Sequence, residues 1–131
     1  MLQKSAPIAW FDTLSRGDVP SVGGKNASLG EMVQALSAKG IAVPPGFATT
    51  ADAYWGYVDA NDIRARLGEL LAAWESGRAS LAETGAAIRA IFLAGEFPPA
   101  TATAIRDAYR QLGERIGKRD VPVAVRSSAT A

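Results

Sequence analysis

The sequence predicts an α/β (α+β) protein: a small sheet, with strands near 8–11, 46–49 and 121–126, covered by about five helices. Three observations predict it. Apolar residues recur at helical spacing after a glycine pair at 23–24 and again through the middle of the chain, 61–116. Short apolar runs, Ile8-Ala9-Trp10-Phe11 and Val121-Pro122-Val123-Ala124-Val125, carry the aromatic and β-branched character of strands. Between them, Val43-Pro44-Pro45-Gly46 forbids helix and leads into Phe47-Ala48-Thr49 as a third short strand.

The 131 residues amount to about one domain's worth of chain. With 48% hydrophobic residues the chain can bury a core. Its net charge of +1, without a basic block, gives no electrostatic support to a general nucleic-acid or membrane-surface role. No span approaches the ~20 apolar residues of a membrane helix, and no signal-peptide core opens the chain, so a soluble, cytoplasmic protein is expected. There is no cysteine, which removes disulfides, thiolate metal sites and cysteine nucleophiles. There is no histidine either, so a phosphohistidine or a histidine base cannot arise within these residues. No metal ligands are expected in this chain.

Taken in order, Ile8–Phe11 reads as an edge strand in which Trp10 and Phe11 cover core. Leu29, Met32, Val33 and Leu36 fall at i, i+3, i+4 and i+7, predicting a helix over 25–39 with that stripe buried. Gly40 is placed to end it as C′, with Ile41 at C″ set against Leu36 in a Schellman turn. Thr50 is a candidate N-cap for a helix through Ala53, Tyr54 and Tyr57-Val58. Ile63, Leu67, Leu70, Leu71 and Trp74 make a third helical stripe, broken at Ser76-Gly77. Leu81, Ile88, Ile91 and Phe92 make a fourth, ended by Gly95. Pro98-Pro99 opens a fifth, along Ala102, Ile105, Tyr109, Leu112 and Ile116. These stripes are core, not chemistry.

Chemistry is expected at the two ends. Gly23 and Gly24 allow a close backbone approach and dihedrals closed to other residues, and Lys25 follows as a cation at a helix start. The positive end of a helix dipole disfavours an unpaired lysine, and a bound phosphate would resolve the conflict. An ordinary glycine loop with a solvated lysine is the bland alternative. A Walker-type loop is excluded, because Val19 and Asn26 stand where it needs Gly and Ser or Thr. Arg126 stands where the Val121–Val125 run ends, and a guanidinium suits a bidentate hold on phosphate. Thr49 and Thr50 hydroxyls can either line such a site or cap and turn the chain.

Three segments then carry a resemblance: VGGKNASLGEM (22–32), GIAVPPGFATTADAY (40–54) and VPVAVRSSATA (121–131). In this order and spacing they resemble the N-terminal nucleotide-binding region of the phosphoenolpyruvate synthase (pyruvate, water dikinase) family. They are less closely similar to pyruvate phosphate dikinase and rifampin phosphotransferase. The resemblance implies that residues 1–131 are the first lobe of an ATP-grasp domain, a fold whose two lobes clamp ATP. It implies that Lys25 and Arg126 act on the ATP phosphates and that the Gly23-Gly24 backbone approaches the nucleotide with them; Thr49 joins this set as a candidate from its hydroxyl alone. It further implies ATP and Mg2+ as cofactors, the Mg2+ carboxylates lying outside these residues. Partners would be a phosphohistidine domain and a pyruvate-binding barrel in the parent enzyme. The net reaction would make phosphoenolpyruvate, AMP and phosphate from pyruvate, ATP and water, and the isolated segment would be inactive. Two further readings keep less of this: the ATP lobe of a related dikinase or antibiotic phosphotransferase, and a stand-alone module that binds nucleotide or protein without chemistry.

Overall fold

In the computed structural model, residues 6–130 are described. They form two compact units, one built from residues up to 54 together with those from 99 onward, the other from Trp55–Pro98.

In the first unit, strand β1 (Ile8–Trp10) pairs antiparallel with β2 (Phe47–Thr49), Ile8 opposite Thr49 and Trp10 opposite Phe47. The paired rings of Trp10 and Phe47 lie 5.5 Å apart. Two short 3-10 turns, Phe11–Thr13 and Arg16–Asp18, carry the chain to helix α1 (Val19–Ser37). Leu14, Val22, Ala27 and Ala48 form the buried core here, with Ala9, Phe11 and Val19 packed on it.

Helix α1 departs from the expected 25–39 at its start. It begins at Val19, with Pro20 in its first turn, and is interrupted at Gly23, whose φ of 82° and ψ of 162° are not helical. Its end is as the sequence predicts. Gly40 has φ 74°, and the N–H groups of Gly40 and Ile41 donate to Ser37 O and Leu36 O, both at 3.0 Å, which is the Schellman pattern. The buried face also differs from expectation. Val22, Gly23, Ala27 and Gly30 are buried, whereas Met32 is 42% exposed and Leu29, Val33 and Leu36 only half-buried. The reason is proximity: a Cβ on Gly30 would stand 2.6 Å from Leu14 O, so only a small residue lets α1 lie this close to the 14–16 turn. Gln34 Nε2 donates to Leu14 O and Glu31 accepts the Arg16 N–H across the same seam.

Helix α2 (Ala51–Ala60) starts as expected. Thr50 is buried, and its hydroxyl accepts from the Ala53 N–H at 3.3 Å and donates to Ala6 O at 3.0 Å. Those bonds are the capping role, not the phosphate-lining one.

Helix α5 (Pro99–Ile116) opens on its proline and closes on a second Schellman turn: Gly117, at φ 75°, donates to Glu114 O, and Lys118 donates to Gly113 O. Its buried residues are Thr101, Ala108, Leu112 and Gly113, so of the anticipated stripe only Leu112 is fully inside. The chain folds back along α5, and the Tyr109 hydroxyl donates to Val121 O at 2.9 Å. The Arg115 guanidinium lies 3.7 Å over the Trp10 ring and pairs with Asp12 at 3.3 Å.

The third strand expected at 121–126 is not formed. Among the described residues the sheet has two strands, and 121–130 runs without strand pairing. A strand is a pairing state, needing a neighbour to take its N–H and C=O groups, and β1 and β2 satisfy only each other. Val121 is buried, but Val123 is 51% and Val125 92% exposed.

In the second unit, helices α3 (Arg64–Glu75) and α4 (Leu81–Ala94) pack against each other. Tyr57 stacks on Phe92 with ring centroids 5.7 Å apart and meets Phe97 edge-on at 5.1 Å. Asn61 bonds both Glu96 N and Glu96 O, fixing the turn around Gly95. The Ser80 and Glu83 side chains cap the start of α4 reciprocally.

Candidate functional site

The glycine pair and the final residues of the described chain meet. The Gly24 N–H donates to Ala129 O at 3.0 Å, and the Asn26 N–H donates to Ser128 Oγ at 3.3 Å across 102 residues of sequence. Asn26 also reaches back over the break, its Nδ2 donating to Val22 O at 2.9 Å. Gly23 makes the junction possible twice over. Its φ of 82° is one that other residues rarely adopt, and a Cβ there would collide with Ser128 Oγ and stand 2.7 Å from Ala129 O.

Two N–H groups at the start of the 24–37 helical run are therefore occupied by the chain's own Ser128 and Ala129. The backbone that Gly23 admits is the 128–129 segment. Gly24 is different: nothing stands within 4 Å of where its Cβ would be.

Lys25 and Arg126 flank this junction on its two strands of chain, one residue beyond Gly24 and two before Ser128. Both are exposed, and among the described residues neither has an ion-pair partner; the ion pairs belong to Arg64, Arg66, Arg110 and Arg115. With Asn26 bonded to Ser128, ordinary chain dimensions keep the Cα atoms of Lys25 and Arg126 within about 15 Å. Two long cationic side chains can span that distance toward one polyanion. Thr49, the remaining candidate, is exposed on β2 opposite Ile8, and no hydrogen bond among the described residues joins it to the junction. The structure thus unites the segments that carry four of the five candidates and leaves Thr49 on the sheet.

Sequence reasoning missed Asn26, Ser128 and Ala129. Asn and Ser are the residue types that cap helices, which is the available signal. The capping group here comes from 102 residues away, beyond any local window.

An open cavity of about 640 Å³ lies under the fold-back after α5, lined by Tyr109, Arg110, Glu114, Lys118 and Arg119 among others, and includes none of the five candidates. Among the described residues no three Asp, Glu, His or Cys side chains stand together as a metal site would need.

Residues 19–131 match the family described as pyruvate phosphate dikinase, AMP/ATP-binding domain. The chain is 45% identical over 129 residues to the phosphoenolpyruvate synthase of Escherichia coli, covering 97% of this chain and 16% of that protein. It is 42% identical over 134 residues to that of Synechocystis sp., covering 98% and 16%. It is 39% identical over 130 residues to that of Aquifex aeolicus, covering 98% and 15%. The chain spans about 15–16% of the length of these relatives.

Proposed function

The chain belongs to the pyruvate phosphate dikinase, AMP/ATP-binding domain family, and we propose that residues 1–131 are the first lobe of an ATP-grasp domain whose Lys25 and Arg126 hold the phosphates of ATP. The observation that supports this most directly is the Asn26–Ser128 bond, which ties the lysine-bearing loop to the arginine-bearing segment.

The chemistry follows from the side chains. A transferring phosphoryl group spreads negative charge over its oxygens, and positioned cations stabilise it. The Arg126 guanidinium can hold two oxygens in a planar fork, and the Lys25 ammonium supplies a compact point charge beside it. Gly24, with open space where a side chain would be, lets a phosphate come close to the backbone. Thr49 would contribute a hydroxyl only with the nucleotide extended toward the sheet.

The phosphates of ATP suit these cations, and the Mg2+ that accompanies ATP would take its carboxylates from elsewhere in the parent enzyme. The relatives' name supports a parent enzyme that makes phosphoenolpyruvate, and the resemblance implies pyruvate, ATP and water as what it consumes. The chain contains no histidine, so a phosphohistidine carrier would be another domain of that enzyme, as would the pyruvate-binding barrel that the resemblance implies. Among the described residues no helix is long and apolar enough to cross a membrane, which suits the cytoplasmic location we propose.

The test is a chimera in which this chain replaces the matching segment of the Escherichia coli relative. Lys25→Ala and Arg126→Ala are each expected to abolish ATP-dependent phosphorylation with the thermal melting curve unchanged. Near-normal turnover in both variants overturns the assignment.

A further inference from the structure

We propose that Asn26 and Ser128 form a latch that makes one anion clamp of Lys25 and Arg126, Ser128 acting as a positioning residue for the nucleotide phosphates; this rests on the reading of the two cations given above.

The geometry carries it. Arg126 lies in a stretch without strand pairing, with Val123 and Val125 exposed on the same run, so the sheet does nothing to fix it. What restrains this segment is a pair of hydrogen bonds two and three residues further on, Asn26 N–H to Ser128 Oγ and Gly24 N–H to Ala129 O. At the other end, the Tyr109 hydroxyl holds Val121 O. Arg126 therefore hangs between two anchors, only one of which also touches the lysine-bearing loop.

That loop is restrained by the same contacts. Gly23 breaks α1, so intact helix does not tie the lysine-bearing turn to the turn before it. Asn26 spans the break with its side chain on Val22 O while its N–H takes Ser128 Oγ. One residue thereby sets the angle of the Lys25-bearing turn against both the preceding turn and the arginine segment. Removing the Ser128 hydroxyl leaves the Asn26 N–H without this acceptor and leaves the 126–129 segment held to the lysine-bearing turn by the Gly24 N–H to Ala129 O bond alone, so Arg126 is less restrained relative to Lys25. Neither latch residue needs to touch phosphate for this to matter, because two cations restrained at a fixed separation lose less freedom on binding than two independent ones.

The probe is inorganic tripolyphosphate, which reads the clamp without an adenine pocket, followed by NMR on the 131-residue chain so that weak binding is measurable. In the unaltered chain the Lys25 and Arg126 signals are expected to titrate together with one Kd, and the Gly24 and Asn26 amides to exchange slowly. Ser128→Ala should raise Asn26 exchange and weaken tripolyphosphate binding about tenfold, the scale of one hydrogen bond lost between restrained groups. Ser128→Thr, which keeps the hydroxyl, should restore both. Unchanged binding in Ser128→Ala overturns the latch, even where the cations do bind. No response of Lys25 and Arg126 in the unaltered chain overturns the anion reading itself, and the amide exchange then reports separately whether the Asn26–Ser128 contact exists. Melting curves of the variants show whether the fold is kept.

Discussion

The Gly24 N–H donates to Ala129 O at 3.0 Å, so the two glycines of the pair meet the end of the chain in different ways. Gly23 has no room for a Cβ and a left-handed φ; Gly24 has open space around it. Gly23→Ala is therefore expected to destabilise the protein by about 1–3 kcal/mol in urea denaturation, the range for strain at such a backbone position. Gly24→Ala should leave stability unchanged or raise it by up to about 1 kcal/mol, since alanine favours helix over glycine. If Gly24→Ala nevertheless weakens phosphate binding, its open face is where the ligand approaches.

Gly30 lies against the 14–16 turn, its virtual Cβ 2.6 Å from Leu14 O. Gly30→Ala should cost about 1–3 kcal/mol by overpacking, despite the helix preference of alanine. Gly56, inside α2 with nothing within 4 Å, is the control and should gain stability on the same substitution.

Tyr109→Phe removes the hydroxyl that holds Val121 O and nothing else of the ring. A loss of about 0.5–1.5 kcal/mol is expected, with faster amide exchange across 121–129 as the fold-back loosens. Unchanged exchange there would show that Val121 burial alone keeps the return path.

The start of α4 should respond to acid. Glu83 accepts from the backbone N–H and the hydroxyl of Ser80, in that order of importance, and both hold its carboxyl below the usual glutamate range. With the folded value depressed, the cap is fully present above the unfolded glutamate value and is lost as pH falls through the folded one. Exchange of the first α4 amides should accelerate over that acidic window, and Glu83→Gln should flatten the dependence.

How much of this was legible in the sequence depends on how local the signal was. The Leu36-to-Ile41 Schellman turn, the Thr50 cap and the Pro99 start of α5 are settled within a few residues, and reading them needed only neighbouring side chains. The buried face of α1 differs from the sequence pattern because Leu29 and Met32 look like core, while the actual contact is a close approach to Leu14 that Gly30 permits. The strand expected from Val121–Val125 depends on a pairing partner, which no run of valines encodes. At the site, the residue types Gly, Lys and Arg stood out, but the Ser128 acceptor that joins their segments did not, since a serine in a small-residue run has no distinguishing pattern.

The span of 102 residues between Asn26 and Ser128 also sets an order of events during folding. Helix turns form within about a microsecond from contacts a few residues apart, whereas a contact across so long a span carries a loop-closure cost that grows with the logarithm of its length. On a ribosome, the lysine-bearing turn emerges early yet stays unlatched until residue 129 has left the exit tunnel, by which time the 55–98 helices are already outside. The contact that ties the lysine-bearing turn to the arginine-bearing segment is accordingly completed after the helices between them have been synthesised.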